Sequence, residues 1–413
     1  MKPNEQPHQI RDSSVTRRGF LGGASALASV AATAVVPSAR AAAGDVIAYV
    51  GAATNVGRDT GGIYSYNLNP SDGSLTPRGA RINIPSPNYL VIHPNKKYMY
   101  AVNSIANFAG TTNGSVTALS IDERTGDLKV LNVVDAKGGG TTFVSIDPSG
   151  KWVLVANYGG ITAAVLPIMP DGSLGNAADV AVLSGPLGPR NAYDRPIGSY
   201  NDSGHDAIHP HMAKTDLDGN FAFVADLGTD RVHIFKFDKV TGKLSPNDQP
   251  YLQASPGAGP RHFVFHPNRR WAYVVCEESS TKLFMLYDAA KGTLEIKQSA
   301  STLPAGCVGT SYPAAIKLSA DGRFLYVTNR NFNSIEITEI NSDGWMVPVG
   351  QEWTRGHYPF DCALDPSGNF MYAMNTNNDS ITSFRVDKVT GKLTFTEQYV
   401  PLSIPRVMVF LTL

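Results

Sequence analysis

Three cysteines in 413 residues, Cys276, Cys307 and Cys362, are too few and odd in number to frame a fold with disulfides. Cys276 and Cys362 fall in strand-like runs and are expected as small buried residues. Net charge is missing too: 35 basic residues balance 35 acidic ones, with no basic run beyond the N-terminus. That argues against nucleic acid as a partner, because phosphate binding draws on clustered Lys and Arg. The apolar run near the start is short for a bilayer and poor in Leu, Ile and Phe, so no stable membrane span is expected. Helical periodicity of useful length is confined to that same segment. The rest of the chain has no Gly-x-Ser-x-Gly elbow, Walker loop or dinucleotide fingerprint. Nothing in it requires a cofactor.

What the chain does have is a repeat. A Gly, one variable residue and a large apolar residue recur at Gly73, Gly126, Gly172, Gly242, Gly292, Gly344 and Gly391, at intervals of 53, 46, 70, 50, 52 and 47 residues. A period near fifty marks an array of like units. A second signal runs in step with it, a polar turn followed by an aromatic and an apolar run, at Tyr98, Trp152, Phe221, Trp271, Phe324 and Phe370. Gly- and Asp-rich turns between β-branched and aromatic runs are hairpin signals, so each unit reads as four short antiparallel strands, A to D. Such a unit repeated radially is a propeller blade. The expected fold is therefore all-β, with seven blades. Ile47–Gly51 reads as a B strand with no A before it, and Ile404–Phe410 as an A strand with no B after it. Pairing them closes the ring with N-terminal B, C and D strands and a C-terminal A strand, leaving no free edge.

Residues 1–41 read as a cleaved twin-arginine signal: Thr16-Arg-Arg-Gly-Phe20-Leu21, an Ala-rich stretch, then Ala39-Arg-Ala41 as cleavage site. Residues 42–413 are then one propeller, periplasmic or secreted, and expected as a monomer.

In an antiparallel meander the A–B and C–D turns share one end of every blade, and the D–A and B–C connections share the other. The second set is longer and more varied, which makes it the candidate site face. Counting from the repeat marks, strand A begins there with Asn88, Thr142, His211, Arg261, Ala314, Phe360 and Arg406, six of them after a proline. Strand B ends there at Asn103, Asn157, Asp226, Cys276, Asn329 and Asn375, and Tyr158, Glu277 and Arg330 are among the residues that follow. Because strand A lines the axis, these residues are expected to ring one mouth of the central channel. His211, Arg261, Glu277 and Arg330 come from consecutive blades, and an imidazole, a carboxylate and two guanidiniums at one mouth form an active-site pattern. Asn103, Asn157, Asp226, Asn329, Asn375 and Arg406 are expected substrate contacts, although Asp226 also suits turn chemistry. His205, His209 and His211 lack a carboxylate partner fixed by spacing, and no metal is expected. His93 and His266 read as caps of A–B turns on the opposite face. The long 70-residue interval places its surplus in residues 185–204, with Arg190, Tyr193, Arg195 and Tyr200, as a lid or specificity loop over the mouth.

Several segments carry a family resemblance: Asp147-Pro-Ser-Gly-Lys-Trp152 through Gly160, His209-Pro-His211, Asp226-Leu-Gly-Thr-Asp230, Gly259-Pro-Arg-His262 and Tyr312-Pro-Ala-Ala-Ile316. In these the chain resembles the seven-bladed propeller lactonases of the bacterial 6-phosphogluconolactonase type, from about residue 46 to the end. The resemblance implies hydrolysis of a sugar lactone without a cofactor. It also brings in fungal enzymes that cyclise carboxymuconate to a lactone, whose proposed groups map onto His211, Arg261, Glu277 and Arg330. Two departures stand out. Cys276 replaces an amide before Glu277, and Phe360 stands where many relatives have Arg, a charge that Arg406 is placed to replace. The expected activity is an exported lactonase in which His211 activates water and the arginines hold the oxyanion. A lactone-forming cyclase and a non-catalytic binding propeller are the alternatives.

Overall fold

A computed structural model describes residues 44–413 apart from 55–59, 191–203 and 308–310. Residues 1–41, read as a signal segment, and most of the 185–204 surplus lie outside the described residues. Among those described, no helix is long and apolar enough to cross a membrane.

Strands build seven four-stranded antiparallel sheets, and the only helical elements described are two short 3₁₀ turns. Blade 1 combines Pro405–Thr412 with Val46–Ala52, Gly62–Leu68 and Leu75–Ile82. Its two chain ends pair antiparallel from Val46 opposite Thr412 to Ala52 opposite Pro405. Blades 2 to 7 follow in chain order, their A strands being Pro87–Ile92, Thr141–Ile146, Pro210–Thr215, Pro260–Phe265, Pro313–Leu318 and Pro359–Leu364. Neighbouring A strands touch all the way round, so the ring is closed about an axis they line.

Burial is greatest in the B and C strands and least in the outer D strands, as the composition of each strand dictates. The B strand Trp152–Asn157 is buried at all six positions, whereas the D strand Thr293–Ser301 buries only Leu294 and otherwise alternates partly buried and exposed side chains. Fully buried strands read as near-continuous apolar runs, and one-faced edge strands alternate. The hydrophobic clusters lie mostly between blades; one joins Tyr100, Val102 and Val116 of blade 2 to Val153, Val155 and Ala164 of blade 3.

The two sequence signals meet at these interfaces. All seven repeat glycines have positive φ, from +66° at Gly292 to +92° at Gly344, a region that L side chains seldom adopt. Against five of them lies the B-strand aromatic of the preceding blade: Tyr98 on Gly172, Trp152 on Gly242, Phe221 on Gly292, Phe324 on Gly391 and Phe370 on Gly73. The glycine provides both the turn conformation and the room for the ring. On the A–B turn face, His93 Nδ1 accepts the Asn95 amide at 3.1 Å and Nε2 donates to the Gly150 carbonyl at 2.9 Å. His266 repeats the pattern with Asn268 and Gly322, so both histidines tie turns of adjacent blades as their position suggested.

Candidate active site

Each of the seven A strands carries a register shift against its B strand at its first residues. The extra residue is Asn88, Thr142, His211, Arg261, Phe360 or Arg406, and in blade 6 it falls within Ala314–Ala315. A bulge re-aims a side chain and ends the pairing. The preceding proline suits this place, because the first residue of a strand can do without a ladder N–H. Seven equivalent bulges thus present one residue per blade at the same mouth, the register that counting selected.

Four ionisable groups converge there. Glu277 Oε2 lies 2.7 Å from Arg261 Nε and its Oε1 lies 2.6 Å from Arg330 Nη2. Arg330 Nε also donates to the Tyr312 carbonyl at 2.8 Å, and Arg261 donates to the Ala314 carbonyl. All three ion-pair partners are buried, Arg261 completely. Burial alone pushes the Glu277 carboxyl up, but Arg330 and Arg261 outweigh it and hold it below its ordinary value. Burial lowers Arg261 to about 10 despite Glu277, so it stays charged at neutral pH. Glu278, the next residue, is pushed up to about 9 by burial and by Glu277 and is neutral at pH 7. Glu277 is therefore the one ionised carboxylate between two guanidiniums.

His211 stands beside this bridge. Its Nδ1 lies 3.1 Å from His262 Nε2, and the Tyr158 ring meets it edge-on at 5.7 Å. Burial first, then Arg261 and Arg330, depress the His211 imidazole well below its ordinary 6.5, so it is neutral at physiological pH. With Nδ1–H donated to His262, the lone pair sits on Nε2.

Arg406 adds a third guanidinium. It lies over the Phe360 ring at 4.3 Å, and Arg261 approaches the same ring at 5.2 Å. Burial lowers Arg406 to about 10, and no carboxylate of the described residues pairs with it. Tyr312 and Tyr358 lie 5.6 and 5.2 Å from the Arg330 guanidinium. The mouth therefore holds three guanidiniums, two of them on one ionised carboxylate, beside partly exposed aromatics.

The other expected substrate contacts are differently engaged. Asn157 donates to the Ala136 carbonyl and Thr162 and accepts from Thr141; Asn329 donates to the Thr302 carbonyl and accepts from Ser311. Asn103 exchanges hydrogen bonds with Thr117, and Asn375 donates to Thr382. Asp226 accepts the His209 and Gly228 amides and the Thr229 hydroxyl, and contacts His233 at 3.3 Å. These side chains tie strand B to strand C and to loops beside it. The physical reason is alternation: the last B residue points into the sheet stack, and the next residue points to the mouth.

The three closely spaced histidines go to three different partners. His205 Nε2 meets Asp230 at 2.8 Å, His209 meets Asp206 at 2.7 Å and stacks on Tyr158 at 4.0 Å, and His211 meets His262. Asp230 also accepts the Gly257 and Gly259 amides, fixing the connection that delivers Arg261. Gly259 has φ +68°, and a methyl there would lie 2.6 Å from Glu278 Cγ. His262 and Glu278 were not singled out as site residues from the sequence; the signal available was adjacency to Arg261 and Glu277.

The sequence model for "Lactonase, 7-bladed beta-propeller" matches residues 47–410. A Bacillus subtilis protein named 6-phosphogluconolactonase is 31% identical over 366 residues, 88% of this chain and 98% of the relative. A Formosa agariphila protein of the same name is 31% identical over 350 residues, covering 84% of this chain and 94% of its own length. Among solved structures, the Pseudomonas aeruginosa periplasmic gluconolactonase superposes with a TM-score of 0.78 at 28% identity, covering 89% of this chain and 99% of that one.

Proposed function

Because this chain belongs to the seven-bladed β-propeller lactonase family, whose relatives open lactones, we propose that it hydrolyses a sugar lactone at the His211 mouth. The observation that carries the reading is the Glu277 bridge between Arg261 and Arg330 beside a neutral, hydrogen-bonded His211.

His211 Nε2 takes a proton from water as the water oxygen bonds to the lactone carbonyl carbon. The carbonyl π-electrons move to oxygen; Arg261 donates to that oxyanion through Nη2, which has no partner among the described residues, and the Arg330 charge stabilises it. Collapse breaks the ring C–O bond, and His211 returns its proton to the departing alkoxide. The product is the open hydroxy acid. Glu277 holds both guanidinium planes in place, and burial makes that arrangement costly to lose: cutting a buried ion pair from one side costs about 3–5 kcal/mol.

Arg406 serves substrate choice in this reading. A cation with no carboxylate partner, stacked on Phe360, suits an anionic group on the lactone. The twin-arginine segment of residues 1–41 supports export, and the periplasmic setting of one structural relative agrees. An exported enzyme meets mainly unphosphorylated aldonolactones or aromatic-derived lactones, so a carboxylate is the favoured anion.

A lactone panel followed by pH-stat tests this. His211→Ala and Arg330→Ala should each lower kcat/KM by about 10²–10³-fold. Arg406→Ala should raise KM for an anionic lactone by about tenfold and leave a neutral lactone nearly unaffected. Full activity in His211→Ala would reject the assignment. Binding of lactones without turnover would instead favour a non-catalytic propeller.

A further inference from the structure

Below the mouth, the axial side chains form two further levels. One position past each bulge, the rings of Tyr89, Phe143 and His262 meet across the axis, with centroids 4.1 Å apart for Tyr89–Phe143 and 5.1 Å for Phe143–His262. They come from blades 2, 3 and 5 and separate the site above from the channel below. Two residues further along, the level is apolar or small in most blades, with Val91, Val264, Ala363 and Val409, but it holds lysines in blades 4 and 6.

Lys317 and Lys214 differ in their surroundings. Lys317 Nζ lies 2.9 Å from Asp361 and 3.3 Å from the Tyr89 hydroxyl, and is neutralised. Lys214 makes no hydrogen bond or ion pair with any described residue, and burial together with the Lys317 charge depresses its ammonium. Both line a cavity of about 400 Å³ with Tyr89, Phe143, Ser145 and Val409. The lining continues to Ile92, Ile146 and Phe410, near the A–B turn end of their strands, and these three are partly exposed.

Lys214 is partly exposed, and an ammonium partly withdrawn from water into a largely apolar channel without a counter-charge is unfavourable unless something restores the balance. The space is that of roughly a dozen water molecules, enough for a hydrated oxyanion or a short organic acid. We propose that the lower half of the channel is a second ligand site, separate from the mouth, that takes a small oxyanion, carboxylate or phosphate, against Lys214 Nζ. The site stands independently of the lactonase reading, because the ring plug divides the two ends and Lys214 has no part in the chemistry above.

Trace acetylation of the folded protein, read by mass spectrometry of the Lys214 peptide, tests it with inorganic phosphate and malonate as separate probes. Saturating anion should slow Lys214 acetylation by about tenfold, the worth of one charge-assisted contact. The protection should persist in Arg406→Ala, which removes a cation from the mouth. Protection by phosphate alone or malonate alone identifies the preferred anion. In equilibrium dialysis of the preferred anion, Lys214→Met should lose one bound equivalent while keeping lactonase activity. Equal acetylation rates with and without both anions would overturn the site. So would protection that vanishes in Arg406→Ala. If Lys214→Met fails to fold, the wild-type acetylation decides.

Discussion

At the scale of single residues, the mouth is governed by an excess of positive charge. Two guanidiniums flank Glu277 and a third, Arg406, lies over the Phe360 ring, while Glu278 is neutral at pH 7. Burial first, and then that excess, hold His211 neutral: protonating it would add a fourth cation to a buried cluster. As the proposed base, His211 must be neutral to take a proton from water, and its folded value lies below 6.5. Activity is therefore retained through mildly acidic pH and lost as pH falls through the depressed value. The acid limb of the kcat/KM profile should lie below pH 6.5, the ordinary histidine value. In Arg330→Gln one repelling charge is gone, so the limb should move upward even as kcat/KM drops. A limb that stays put in that variant would mean that another group controls the profile. The four convergent residues were legible because the repeat marks fix a register and the register fixes a level on the axis. The asparagines that end strand B were legible as a register too, but not by direction. One step of a period-two strand separates the amide of Asn329, bonded to Thr302, from the guanidinium of Arg330 in the mouth. The Tyr193 and Tyr200 expectation falls on residues outside those described.

At the scale of elements, the lock-step of glycine and aromatic has a mechanical meaning that spacing alone could not give. Each blade interface also carries a side-chain hydrogen bond. Tyr49, Tyr100, Tyr273, Tyr326 and Tyr372 donate to the carbonyls of Gly126, Gly172, Gly344, Gly391 and Gly73 in the next blade. Blades 3 and 4 have Leu154 and Phe223 at that position, and other residues take over. Trp152 Nε1 donates to the Lys239 carbonyl at 2.9 Å, and the Tyr287 hydroxyl donates to Asp216 at 2.8 Å. The sequence marks the aromatic and the glycine as separate signals; only the ring geometry makes them partners, 67 to 90 residues apart, or 297 where Phe370 meets Gly73. The C–D glycine should therefore be less replaceable than the hydroxyl. Tyr326→Phe leaves one buried carbonyl without its donor and should cost about 1–3 kcal/mol. Gly391→Ala must place a methyl 2.4 Å from Phe324 Cδ1 at φ +71°. It should cost about 2–4 kcal/mol in urea unfolding, through strain and overpacking together. A Gly391→Ala variant as stable as the parent would show that the interface yields freely.

At the scale of the whole molecule, the ring depends on its seam. The closing strand was legible because the count of A–B pairs fell one short of the C–D turns, and the two chain ends carried the missing halves. Observed pairing runs through seven residues of Val46–Ala52, and the ends continue it, with the Gly44 amide on the Leu413 carbonyl at 3.1 Å. Pro405–Thr412 also brings Arg406 to the mouth, so the seam joins stability to the site. Truncation after Ser403 would expose the apolar strand Val46–Ala52 as an unpaired edge and open the axis between blades 7 and 2. That variant should lose cooperative unfolding and aggregate, as read by calorimetry and light scattering. A permutant that starts at Ser86, joins Leu413 to Gly44 and ends at Pro85 keeps every strand and makes blade 1 continuous. It should fold and retain lactone turnover, because the mouth residues and their bulges are unchanged. If the truncated chain instead stays monomeric with a single sharp transition, ring closure is not what holds the inner strands in place. The convergence of residues from separate blades at the mouth would then need another cause.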